Sequence, residues 1–208
     1  MSSADRTIRP AHMVGLSNDE QIGLWAVACH EAGHAVAALA LDMPFEYVTI
    51  RPVQGKSLGH CEHPPLLIGR RGPDGEVVYL KEVIRKVVVS FLAGDAAQAF
   101  YGYGDGFFSH LGYGGRVPDT HPLADETDER RAEGYLKLIT DGDRAFHTTM
   151  RALRARTARL VARESDTIMA VTSALWARET FSYAEVKAIA RPRRGRQQVL
   201  RKHEEAKR

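Results

Sequence analysis

The stretch WAVACHEAGHAVAALA, residues 25–40, constrains this chain more than any other. Inside an apolar, alanine-rich run it places His30 and His34 four residues apart, with Glu31 directly after the first. Alanine is the strongest helix former, and apolar residues recur at helical spacing from Ile22 through Trp25, Cys29, Ala32 and Val36 to Leu39. Upstream, SNDE at 17–20 is a Ser-x-x-Glu capping box. Pro44 stops the helix, which is expected to run to about Asp42. Positions four apart lie on one face of a helix. Polar side chains are costly to bury without partners, so two imidazoles in this setting call for a shared one.

The remaining pattern predicts a mainly α fold with a small β-sheet, in a single domain over residues 17–190. FEYVTI (45–50) reads as a strand and SLGHCEH (57–63) as a second, polar one. PPLLIGRRGPDG (64–75) reads as a loop. A long helix is expected from Val77 to Tyr101, then further helices over 123–140, 142–164 and 165–178, with SYAEV (182–186) opening a short last one. Between them, 101–122 is rich in glycine and aromatics and has no periodicity; a loop of that length is usually functional or disordered. Residues 1–16 read as a disordered arm.

Apolar runs such as KVVVSFLA (86–93) are short, so no membrane span is expected. MSSADRTIRPAHMVG lacks the apolar core of a signal peptide. Two cysteines, Cys29 and Cys61, make no disulfide framework, and a cytoplasmic setting is the expectation. The basic tail, 191–208, holds eight Lys/Arg against two Glu, which leaves residues 1–190 slightly acidic. No aromatic groups interleave its arginines, so a solvated terminus is favoured over a nucleic-acid contact.

The HExxH spacing carries the chemistry. His30 and His34 can offer ring nitrogens to one ion, while Glu31, about a third of a turn away, reaches a metal-bound water without ligating. That is the arrangement of zinc metalloproteases, with the glutamate as general base. Zinc lowers the pKa of its bound water to about 7. A catalytic site needs a third protein ligand and an open position. By residue type the candidates are Asp95, Asp105, His110, His121, Asp125, Glu126, Asp128 and Glu129, and spacing does not choose among them. A rival cluster, HCEH at 60–63, would split its ligands between two strand faces, and exposed side chains are expected there. QGKS (54–57) lacks the upstream glycine of a phosphate-binding loop.

These residues resemble the peptidase domain of the FtsH-type ATP-dependent zinc proteases. Four blocks match in order: HEAGHAVAALA, VTIRP with SLGHCEHP (48–64), FLAGDAAQAFYG (91–102) and ALWARETFSYAEV (174–186). The resemblance implies an FtsH peptidase-domain-like helical fold, and it implies Asp128 of TDERRA (127–132) as the third zinc ligand. It also implies that Leu58, Gly59, His60 and Cys61 form a strand on which an extended polypeptide pairs. Gln98 departs from the family's usual glutamate. The family's ATPase module and membrane anchor have no counterpart in these residues. The expectation is therefore an ATP-independent zinc endopeptidase acting on unfolded polypeptides, unless a separate ATPase or adaptor feeds it. The alternatives are a zinc-binding interaction module without turnover and a regulator that uses the basic tail on nucleic acid.

Overall fold

The computed structural model describes residues 15–52, 59–103 and 127–191. Expectations for the N-terminal arm up to residue 14, for Leu58 and QGKS, for the glycine-rich loop beyond Tyr103 and for the basic tail beyond Arg191 lie outside these residues.

Helix α1 (Asn18–Ala40) begins as its sequence directs. The Ser17 hydroxyl accepts from the Glu20 amide, and the Glu20 side chain returns to the Ser17 backbone. Because Ala, Cys and Val cover most of its surface, α1 is buried almost all round from Ala26 to Leu39. By length and composition it could cross a bilayer, yet 67% of its most apolar window is buried inside the fold. That is the pattern of a core helix.

Among the described residues, five short strands and five more helices surround it. Strands β1 (Tyr47–Thr49), β2 (His60–Glu62), β3 (Gly69–Arg71) and β4 (Val77–Tyr79) precede α2 (Lys81–Phe100). Then come α3 (Asp128–Lys137), α4 (Gly142–Arg163), α5 (Ser165–Arg178), β5 (Thr180–Ser182) and α6 (183–191). The fold is mainly helical with a small antiparallel sheet, ordered β2-β1-β5, in which Val48 pairs with Cys61 on one side and Phe181 on the other. Strands β3 and β4 form a separate hairpin. That hairpin corrects two readings. Residues 69–71 are strand rather than loop, and Val77–Tyr79 pairs with them instead of starting α2. The β-branched valines favour a pleated partner, and Gly75 supplies the positive φ of 81° that the turn requires.

α1 packs mainly against α2 and α5, and α2 also meets α3 and α4. The α1–α2 approach is close because Gly33 has no side chain. A methyl group there would lie 2.5 Å from the Ala93 carbonyl oxygen and 2.8 Å from the Ala93 neighbour Ala97 Cβ. Gly33→Ala gains helix propensity of up to about 1 kcal/mol. Overpacking against backbone costs about 1–3 kcal/mol or more, and α2 cannot yield without opening the core. Urea denaturation is expected to show a net loss of about 2 kcal/mol; an unchanged midpoint would contradict this account of the helix contact.

Candidate metal centre

Two elements converge on one point. α1 supplies His30 and His34, and the first turn of α3 supplies Asp128, placed there by the Thr127 hydroxyl that accepts from the Arg130 amide. His30 Nε2 and His34 Nε2 are 2.9 Å apart, and Asp128 Oδ2 lies 3.1 Å from the first and 3.0 Å from the second. Among the described residues this is the one group of three such side chains close enough to share a metal ion. Four-coordinate zinc with bonds of about 2.0–2.1 Å has ligand–ligand edges of about 3.3 Å. The observed triangle has nearly the size of one face of such a tetrahedron, smaller by a few tenths of an ångström.

The outer nitrogens decide which lone pairs face inwards. His34 Nδ1 donates to the Ser90 carbonyl at 2.7 Å. His30 Nδ1 donates to Gln98 Oε1 at 3.3 Å, and Gln98 is itself fixed by donating from Nε2 to the Ala26 carbonyl at 3.0 Å. With both Nδ1 protons committed outwards, each Nε2 presents a bare lone pair. Two such nitrogens and a carboxylate oxygen within hydrogen-bond distance repel one another unless a positive charge sits among them. A metal ion or a proton satisfies that requirement.

The electrostatics agree. Burial disfavours charged imidazoles, but the Asp128 carboxylate outweighs it and carries His34 up to about 9; His30 moves in the same direction. Burial also opposes ionisation of Asp128, yet the two imidazoles hold its carboxyl well below the usual range. Glu31 is 5% exposed, and burial raises its pKa against the pull of His30 and His34. Its Oε2 is buried without a hydrogen-bond partner among the described residues. A two-imidazole, one-carboxylate donor set is one that a borderline divalent ion takes, so the residues present fit such an ion.

Two glycines shape this centre; Gly59 was expected on the substrate strand, while Gly94 was not among the expected site residues. A Cβ on Gly94 would stand 2.5 Å from His34 Nε2 and 2.6 Å from His30 Nε2. A Cβ on Gly59 would stand 2.9 Å from Glu31 Cγ and 2.8 Å from the Thr49 carbonyl oxygen. A glycine inside an otherwise regular helix, as in FLAGDAAQ, was the available signal.

Other candidates fall elsewhere. Asp95 Oδ1 is 3.4 Å from His30 Nδ1, behind the ring rather than at its inward nitrogen. Glu129 pairs with Arg154. Asp105, His110, His121, Asp125 and Glu126 lie outside the described residues. HCEH does not form a cluster: His60 Nε2 meets the Tyr47 hydroxyl at 2.8 Å, and His63 Nδ1 meets the Pro44 carbonyl at 3.1 Å. Only Glu62 there is exposed, which corrects the expectation of solvent-facing side chains; Cys61 packs against the core. Burial and the Glu31, Glu62 and Asp128 carboxylates push its thiol well up. Of the expected substrate strand, Gly59 is buried beside Glu31, while His60 and Cys61 lie on β2, an outer strand of the three-stranded sheet. No protein-family model matches this chain, and no characterised protein matches it in sequence.

Proposed function

We propose that this chain is a zinc-dependent endopeptidase of the HExxH type that cleaves unfolded polypeptides. The observation that carries the reading is the triangle of His30, His34 and Asp128, drawn from α1 and α3 with the Glu31 carboxylate beside it. The four sequence blocks similar to FtsH-type peptidase domains support it and name the class of substrate. His30 Nε2, His34 Nε2 and Asp128 Oδ2 would hold the ion. When bound, zinc supplies Lewis acidity and lowers the pKa of a coordinated water to about 7.

The chain's own groups do the rest. Glu31 accepts the proton of the attacking water and delivers it to the leaving amine. Ser90 and Gln98 keep both imidazoles in the ligand orientation. An extended substrate adds to the outer side of β2 through main-chain hydrogen bonds. Gly59, having no side chain, lets that strand lie against Glu31.

The test is zinc content of the purified chain alongside cleavage of unfolded casein, with and without a chelator. Chelation is expected to abolish cleavage, and added zinc to restore it. Far-ultraviolet circular dichroism should keep its helical signal, because an apolar cluster running from Ala28 to Ala190 holds the helices together. A zinc-loaded chain that cleaves nothing, and that melts on chelation, would instead be an interaction module folded around its metal.

A further inference from the structure

Helix α4 contains six arginines, one aspartate, and no lysine or glutamate. Its buried stripe is Met150, Leu153, Thr157, Leu160 and Val161. At about 100° per residue, Arg144, Arg151, Arg156 and Arg159 fall within an arc of about 140° on the opposite side of the helix. None of these four makes a hydrogen bond or ion pair among the described residues, whereas Arg154 pairs with Glu129 and Arg163 with Glu164. Asp143, the only acid in the helix, lies off that arc. Between the four arginines the exposed positions are Ala145, Thr148, Ala152 and Ala155.

We infer that this outer face of α4 binds the phosphodiester backbone of a nucleic-acid duplex. The four guanidinium groups span about 22 Å along the helix at 1.5 Å per residue. A duplex presents about six phosphates per strand over that length. Guanidinium forks match phosphate oxygens two at a time, and the short Ala and Thr side chains let a rod approach closely. The face has no aromatic platform, which single strands use for stacking. It also has no bulky apolar anchor, which a helix lying on a membrane needs. It is a convex strip without a groove, so it offers an acidic peptide no side-chain pocket. What remains is regular positive charge, matched by regular negative charge. Four released counterions predict a salt slope of about −3 to −4 for this contact.

The experiment measures fluorescence polarisation of a labelled mixed-sequence DNA duplex of about 24 base pairs with the full chain, between about 50 and 200 mM KCl. Wild type is expected to bind, with log K falling linearly in log salt. A variant with Arg144, Arg151, Arg156 and Arg159 all changed to Gln should bind at least about tenfold more weakly and lose about 3 to 4 from the slope. Changing the same four to Lys should keep both, which separates charge from folding. The basic tail stays in every variant, so a loss is assigned to α4. The inference is overturned if the Gln variant keeps the wild-type slope. It is equally overturned if wild type leaves the duplex free but sediments with phosphatidylserine vesicles.

Discussion

Glu31→Gln is expected to bind zinc as the wild type does and to cleave unfolded casein about a thousandfold more slowly, within the range for removal of a general base. The amide has the shape of the carboxylate, so the contact with Gly59 survives. Glu31 is not among the three side chains close enough to share an ion, so metal content should not fall below that of the wild type. What changes is proton affinity: an amide oxygen does not take a proton from water at neutral pH. Oε2, buried and unpartnered among the described residues, is the atom available for that transfer. Metal content and initial rates on the same preparation decide the matter. Wild-type cleavage by the variant would remove Glu31 from the mechanism, while loss of zinc would make it a structural support.

The second large effect is predicted at a residue with no reactive group. Gly94→Ala should keep the helical fold: the about 0.5–1 kcal/mol by which alanine is favoured over glycine within a helix offsets part of the cost of displacing two buried imidazoles. The same methyl would occupy the space 2.5–2.6 Å from both imidazoles. They must turn away to admit it, and with them go the inward lone pairs. Zinc affinity is expected to fall by about 100-fold or more, at the upper end of what outer-shell changes usually cost. Competition against a chromophoric chelator measures the affinity, and thermal melting of the metal-free chain measures the fold. If the variant binds zinc like wild type, the close approach of α2 does not shape this centre.

Much of this was readable in advance, wherever local chemistry determines structure. The SNDE box starts α1 at the expected residue, and Ser182 and Glu185 cap α6 in the same reciprocal way at the expected place. Helices α4 and α5 agree with the amphipathic pattern to within a residue. The misses are non-local. Val77–Tyr79 belongs to a hairpin because Gly69–Arg71 lies opposite it, and a helical period does not reveal a partner strand. β5 has three residues, too few to carry a period, and exists because β1 is there to pair with it. At the centre, the His pair was legible from spacing, but Asp128 was not: it lies 94 residues from His34, and composition offered seven equivalents. Gly94 and Ser90, and the contacts that Gly59 and Gln98 make, act only where two elements cross, and a linear pattern holds no record of crossings.

The order of the three-stranded sheet bears on how the molecule comes into being. β1 is flanked on one side by β2, which begins eleven residues after β1 ends, and on the other by β5, with Thr49 opposite Thr180. Chains emerge from the ribosome amino end first, so the middle strand waits, one side bare, until Thr180, 131 residues beyond Thr49, has been made. The three-stranded sheet is therefore completed only after α1 to α5 have emerged. A nascent copy would have its histidines and the β1–β2 pair in hand long before the far side of β1 found its partner.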